Sequence, residues 1–246
     1  MPKNPAPDSS APQTAMPSGA GGSADPAAAE PAAAGASCVR DPSLAVEFQL
    51  LGSAPFVIGM DEVGRGAIAG PVAVGVHAFS LASGEMPEGL RDSKLLTEKR
   101  REALFPLVCE WGAGAVGYGS PEAIDEFGIS AMLGAAGREA LLQLHRDGIP
   151  VADSVILLDG KHDWLSPALK RPLRVVTRVG ADRACGSVAA ASVRAKVLRD
   201  RLMATAATRE PHYGWESNKG YGSKAHYAGI AEHGVSSLHR KTWIKK

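Results

Sequence analysis

Apolar residues gather in short runs along this chain, separated by glycine-rich, proline-rich or charged stretches. Residues 55–58 (Pro-Phe-Val-Ile) and 72–79 (Val-Ala-Val-Gly-Val-His-Ala-Phe) are two such runs. Between them lies Gly59-Met60-Asp61-Glu62-Val63-Gly64-Arg65-Gly66-Ala67-Ile68-Ala69-Gly70-Pro71, and the pattern predicts a strand, an acidic turn and a second strand. Residues 112–119 alternate small and apolar side chains and predict another strand. Residues 154–158, bounded by turn residues, predict a buried strand that delivers Asp159 at its C-terminal end, and residues 172–178 predict a shorter one. Helices announce themselves by their caps. Thr97 opens one that runs through Trp111, and Ser120 with Pro121 opens another. Gly128 divides that region, so a long helix follows from Ile129 to about Arg146. A small-residue helix starts near Ser187 and turns basic toward Met203, and a last helix spans residues 223–233. Strands interleaved with helices in one unit define an α/β class, and the adjacency of the first two strands implies an antiparallel portion.

Composition changes this picture at one end. Residues 1–44 are dominated by Pro, Ala, Gly and Ser, a mixture that buries too little apolar surface to offset the entropy of ordering. They are expected to form a disordered tail, with the folded unit spanning 45–246. The tail has no apolar segment behind a basic start, so it does not read as a secretory signal. The three cysteines, Cys38, Cys109 and Cys185, are far apart and form no C-x-x-C pair, which argues against a zinc site or a disulfide framework and favours a reducing, cytoplasmic setting. No apolar run reaches the length of a membrane span.

The net charge of +1 hides an asymmetry. Residues 183–246 hold 12 Lys and Arg against 4 Asp and Glu, so the first part of the chain is acidic and the last third basic. Such a division suits a phosphate-bearing partner bound across the two. Arg194, Arg199, Arg201, Lys219 and Lys224 are expected to supply the backbone-binding surface.

The acids carry the candidate chemistry. Asp61 and Glu62 close one predicted strand, Asp159 closes a second, and Asp182 precedes the small-residue helix. Carboxylates gathered at strand ends repel one another unless cations bind, and Mg2+ or Mn2+ takes such oxygen ligands. Two such ions position water and stabilise the leaving oxygen of a phosphodiester. Asp61 and Glu62 would face opposite ways on a regular strand, so Glu62 needs a strand break, supplied by Gly64 and Gly66, or would ligate through its carbonyl. Taken singly, Asp159-Gly160 reads as a turn and Asp182 as a helix cap.

The ordered set Asp-Glu-Val-Gly-Arg-Gly-Ala-Ile-Ala-Gly-Pro, Asp92-Ser93-Lys94, Leu-Leu-Asp159-Gly, Ala-Asp182 with Ser-Val-Ala-Ala-Ala-Ser-Val-x-Ala-Lys196-Val, and a closing His-Arg resembles bacterial ribonuclease HII. The resemblance runs from about Phe56 to the C-terminus. It implies a ribonuclease H-like fold, a mixed five-stranded sheet flanked by helices, with a C-terminal helical extension that binds substrate. It implies an endoribonuclease that cuts the RNA strand of RNA–DNA hybrids and incises DNA duplexes 5′ of single embedded ribonucleotides. The hydrolysis would be assisted by Mg2+ or Mn2+ and leave 5′-phosphate and 3′-hydroxyl ends, in a monomeric protein with no membrane partner. Asp61, Glu62, Asp159 and Asp182 are then the catalytic metal ligands. Gly64, Arg65 and Gly66 would read the 2′-hydroxyl at the RNA-to-DNA junction. Tyr221 would stack near the junction sugar, and Ser93, Lys94 and Lys196 would complete the substrate contacts. One departure is Gly180, where many relatives carry a basic residue; Arg178 or Arg183 is the expected substitute. Two rivals remain open. Ribonuclease HIII shares the fold but is expected to differ at Arg65 and to carry an N-terminal domain, and a non-catalytic nucleic-acid-binding module would have lost an acid. A transposase-type nuclease of the same fold lacks support from the motif order.

Overall fold

The computed structural model describes residues 41–244. The expected tail therefore lies outside the described residues except for its last four positions. There the chain is already tied down: Ser43 pairs with Cys185, its N–H donating to the Ala184 carbonyl at 3.0 Å.

In chain order the elements are α1 (Ala45–Leu51), β1 (Val57–Val63), β2 (Val72–Phe79), α2 (Glu98–Trp111), β3 (Gly114–Gly119), α3 (Pro121–Phe127), α4 (Ile129–Arg146), β4 (Val155–Asp159), β5 (Arg174–Arg178), α5 (Ala181–Ala184), α6 (Gly186–Arg209), α7 (Trp215–Asn218) and α8 (Lys224–His233). The five strands form one mixed sheet in the order β3-β2-β1-β4-β5, so β1 is central. It pairs antiparallel with β2 and parallel with β4.

Each face of the sheet carries one long helix. On one face Ile58, Met60, Val74, Val76, Ile156 and Leu158 pack with Leu133, Ala136 and Ala140 of α4. On the other, α6 lies directly on the backbone of β1 and β2. A Cβ at Gly59 would sit 2.2 Å from the Ser187 carbonyl carbon, and one at Gly75 would sit 2.2 Å from the Ala191 carbonyl oxygen. Glycine at both places and the alanines of α6 thus set the helix–sheet distance, which brings Ser192 close to the end of β1. The N-terminal turn of α6 is capped from outside: Glu47 of α1, fully buried, accepts from the Ser187 N–H and hydroxyl at 2.8 Å each.

Two expectations need correcting. The acidic residues are not in a turn, because β1 continues regularly through Asp61 and Glu62 to Val63, with Glu62 opposite Val74. The chain reverses only at Gly64, whose φ of 83° an L side chain rarely adopts. The helix α1 is not foreshadowed by the apolar runs at all. It is held by contacts with β1 and α6 through Val46, Leu50 and Leu51, and by Glu47.

Candidate active site

Strand parity decides which acids meet. In the parallel pairing of β1 with β4, Met60 stands opposite Leu158 and both face α4. The next residues, Asp61 and Asp159, therefore share the opposite face, toward α5 and α6. Asp159 Oδ1 accepts from the Ala181 N–H at 2.7 Å and the Asp182 N–H at 3.4 Å, so it caps α5. That cap seats Asp182 one residue into the helix, beside Asp159. Asp182 is thus the capped residue and Asp159 the cap. Gly180 ahead of it has φ 70°, a left-handed turn that glycine adopts without strain, which gives its identity here a local reason.

Glu62 follows the same rule in reverse. It lies on the α4 side, with its carboxylate 3.5 Å from Nη1 of Arg65. The strand break expected to turn it is absent, because the ladder with β2 persists through Val63.

The electrostatics show these acids in one field. Asp61 is 1% exposed, its Oδ1 accepts from the Glu62 N–H at 2.8 Å, and its Oδ2 has no hydrogen-bond partner among the described residues. Burial, then the Glu62 charge, push its carboxyl up to about 8; Lys94 and the neighbouring Ser192 hydroxyl oppose the rise, and Asp159 adds to it. Ser192 faces Asp61 short of a full hydrogen bond to Oδ2, and its Oγ is 2.8 Å from Ser93 Oγ, a bond in which either hydroxyl can donate. Asp159 is raised by burial and by Asp182, and Glu62 by burial and Asp159 against the pull of Arg65. Lys94 is the cation among them, its Nζ 3.0 Å from Asp182 Oδ2. Against the cost of burial, Asp61, Asp182 and Asp92 lift it above the ordinary lysine range. Neither expected substitute reaches Asp182: Arg183 turns to buried Asp92 at 3.4 Å, and Arg178 enters the field of Glu47 and Cys185. Among the described residues no three acidic, imidazole or thiol groups close on a single point, so the four acids form a coupled patch around Lys94.

The remaining expected contacts divide. Arg65 and Gly66 are exposed at the turn, and Tyr221 is 39% exposed with the Arg199 guanidinium 5.7 Å from its ring centre. Ser93 is buried, its hydroxyl spent on Ser192. Lys196 neither snorkels nor stands free; its Nζ is 2.7 Å from Asp200 one turn on, and Asp200 also faces Arg101. The expected basic surface is mostly interior. Arg194 and Arg199 are buried and donate to main-chain carbonyls, Lys219 pairs with Glu98, and Arg201 pairs with Glu102. Of that group Lys224 stays exposed and outside any ion pair among the described residues. A cavity of about 750 Å3 opens beside Arg65, lined also by Ser130, Arg138, His162 and Trp164; the acids lie outside it.

Residue type alone did not reveal Asp92, Ser192 or Arg240 as parts of this region, and Arg199 was expected at the surface rather than beneath it. Asp92, Ser192 and Arg240 did stand inside matched motifs, Asp-Ser-Lys, Ser-Val-Ala-Ala-Ala-Ser-Val and the closing His-Arg.

A mixed sheet in this order, with carboxylates massed at the ends of two central strands, defines the ribonuclease H-like class of nucleases. Residues 58–246 match the family model described as ribonuclease HII, and the chain belongs to that family. It is 44% identical over 191 residues to a ribonuclease HII of Streptomyces avermitilis, covering 77% of each chain. It is 44% identical over 200 residues to that of Paracoccus denitrificans, covering 80% of this chain and 89% of the relative. Among solved structures, the Archaeoglobus fulgidus RNase HII, determined as a complex with PCNA, superposes with a TM-score of 0.59 at 26% identity, covering 78% of this chain and 96% of that one. A Bst-RNase HIII solved with Mn2+ gives 0.60 at 24% identity, covering 78% and 68%, and attests the fold alone. The protein is an endoribonuclease of the ribonuclease H type, from a family that uses divalent metal ions and acts on RNA–DNA hybrids.

Proposed function

We propose that this chain cuts the RNA strand of RNA–DNA hybrids and incises duplex DNA on the 5′ side of a single embedded ribonucleotide, leaving 5′-phosphate and 3′-hydroxyl ends. Mg2+ or Mn2+ would be held by Asp61, Glu62, Asp159 and Asp182. The observation that carries the reading is Asp61: a fully buried carboxylate with one oxygen lacking a partner among the described residues, its proton affinity raised by burial, Glu62 and Asp159, with Asp182 beside Asp159. The donor set fits a hard divalent cation, being all carboxylate oxygen without thiol or imidazole. When bound, the ion neutralises the patch and supplies Lewis acidity at the scissile phosphate.

The protein's own groups do the rest. Asp159 orients Asp182 by capping α5. Ser192 holds the Asp61 side of the patch against Ser93. Lys94, kept protonated, offsets the repulsion of the acids and faces a substrate phosphate. Glu62 sits on the other face of β1, so it joins the ion by a side-chain rotation or through its carbonyl. The exposed main chain of Arg65 and Gly66, set by the buried Gly64 before them, approaches the ribose 2′-hydroxyl, the group that separates RNA from DNA. The Tyr221 ring, with the Arg199 guanidinium against it, stacks at the junction sugar, and Lys196, paired with Asp200, completes the substrate contacts. The catalytic unit, which takes in Ser43 and Leu44, works as a cytoplasmic monomer and does not depend on residues 1–40 for activity on a short duplex.

The test is a DNA duplex carrying one ribonucleotide, incubated with Mg2+ or Mn2+, with product ends mapped. A single cut 5′ of the ribonucleotide, absent with the all-DNA duplex, is expected. Binding without a cut, or a cut elsewhere, refutes the proposal.

A further inference from the structure

Two arginines lie beneath the Gly64–Pro71 turn, fully buried. All the hydrogen bonds they make among the described residues go to main-chain carbonyls. Arg240 Nη2 donates to the Gly64 carbonyl at 2.7 Å, Nη1 to the Arg65 carbonyl at 2.9 Å, and Nε and Nη2 to Gly70 at 3.2 and 3.1 Å. Arg199 donates to Pro71 at 2.8 Å, Ala69 at 3.2 Å and, across the fold, Lys219 at 2.9 Å. Burying a guanidinium without a carboxylate is costly, and two side by side repel. The carbonyls, with the Tyr221 and Trp243 rings 5.7 and 5.0 Å from Arg199 and Arg240, offset part of that cost, and the outer face of the turn gives a further reason to hold it.

That reason follows from peptide geometry. A trans peptide carries its C=O and the next N–H on opposite edges of one plane. Drawing the Gly64 carbonyl inward aims the Arg65 N–H outward; drawing the Arg65 carbonyl inward does the same for the Gly66 N–H. Both residues are exposed, and among the described residues neither N–H has an acceptor. The side of the turn facing Arg199 admits only glycine at position 64, where a Cβ would lie 2.1 Å from Arg199 Nε.

We propose that Arg240 is a positioning residue for substrate discrimination: its two Nη groups lock two successive peptide planes so that the Arg65 and Gly66 N–H groups form a rigid donor pair for an oxygen acceptor on the ribose side of the junction. Arg199 is the second support, fixing the distal end of the turn. The inference rests on the proposed ribonucleotide activity, and the test separates the two. Arg240→Lys keeps the charge but loses the planar fork. The kcat/KM on a single-ribonucleotide duplex is expected to fall by roughly 100-fold, as for a reacting group displaced by about 1 Å. The Kd for the matched all-DNA duplex should change by no more than about twofold, since phosphate contacts dominate it. A folded Arg240→Lys enzyme with the wild-type ratio of the two overturns the inference, and so does a parallel fall of both with the melting temperature. Should that variant not fold, the wild-type chain still decides. The amide resonances of Arg65 and Gly66 are expected to shift with the ribonucleotide duplex and to stay with the all-DNA duplex; an equal response to both overturns the inference. Failure of the wild-type enzyme to cut the ribonucleotide duplex overturns the proposed function instead.

Discussion

Asp61→Asn is expected to abolish cleavage and, in metal-free buffer, to stabilise the protein. The magnitude follows from the burial of Asp61. Its carboxyl is raised from 3.8 to about 8 in the fold, first by desolvation and then by Glu62. An acid raised on folding contributes stability that is fully present below its unfolded value and lost as pH rises through its folded value. At pH 7 the loss has an upper bound of about 4 kcal/mol, at about 1.4 kcal/mol per pH unit. Asparagine is neutral at every pH, keeps an oxygen to accept the Glu62 N–H, and can turn its amide toward Ser192, so it avoids most of that loss. Even if half is recovered, about 2 kcal/mol raises the melting temperature by roughly 5 °C in a domain of this size. The assay is thermal unfolding of both proteins with chelator present, from pH 5 to pH 8. The difference between variant and wild type should widen with pH across that window. A variant less stable than wild type at pH 7, or a difference that does not change with pH, would refute the claim that Asp61 is held against its own desolvation.

Lys94→Met removes the cation among the acids, and Mn2+ titrated calorimetrically into the metal-free protein should bind roughly tenfold more tightly, the worth of one nearby charge at the protein surface. Weaker binding would mean that Lys94 organises the carboxylates rather than competing for them. Behind the Gly64–Pro71 turn, where it pairs with Ala69, His239 is lowered from 6.5 to about 4 by burial and by His226. The bonds fix its tautomer: Nδ1 accepts from the Ser236 N–H, so Nε2 carries the proton and shares the His226 Nε2 acceptor with the Trp215 indole N–H, while His226 Nδ1 donates to the Tyr221 carbonyl. A base lowered on folding contributes stability present above pH 6.5 and lost as pH falls toward 4, here up to about 3 kcal/mol. Between pH 7 and pH 4 wild type should lose about that much more than His239→Gln in urea unfolding; equal losses would sink the reading.

What the sequence exposed and what it concealed divide along the range of the interactions involved. Thr97, Ser120 and Ser223 each accept a hydrogen bond from a main-chain N–H three residues on, as expected of caps. These contacts are local, so local sequence reveals them. The convergence of Asp61 with Asp159 rests on one long-range fact, that β4 lies parallel beside β1 in the register Met60 to Leu158, which no run of apolar residues states. The basic residues show the same limit. Arginine in a sequence announces charge, and charge suggests a surface, yet Arg194 and Arg199 are interior because main-chain carbonyls distant in sequence, at the end of α2 and in the Gly64–Pro71 turn, meet their fans of donors. Only the assembled fold supplies those acceptors.

The regularity of β1 has a consequence for how the site divides its labour. Because the strand does not break at Glu62, Asp61 and Glu62 stay on opposite faces, and the turn at Gly64 begins one residue after the ladder ends at Val63. Acid patch and exposed turn are thus consecutive along one central strand, clamped by β2 on one side and β4 on the other. The distance between them is a backbone distance, insensitive to side-chain rotamers. On the proposed function, selectivity for ribose at the turn and hydrolysis at the acids would be coupled by covalent geometry. What remains adjustable is the orientation of the turn's peptide planes, and that adjustment is taken up by two buried guanidinium groups, a rigid support where a flexible glycine-rich loop would otherwise sample many conformations.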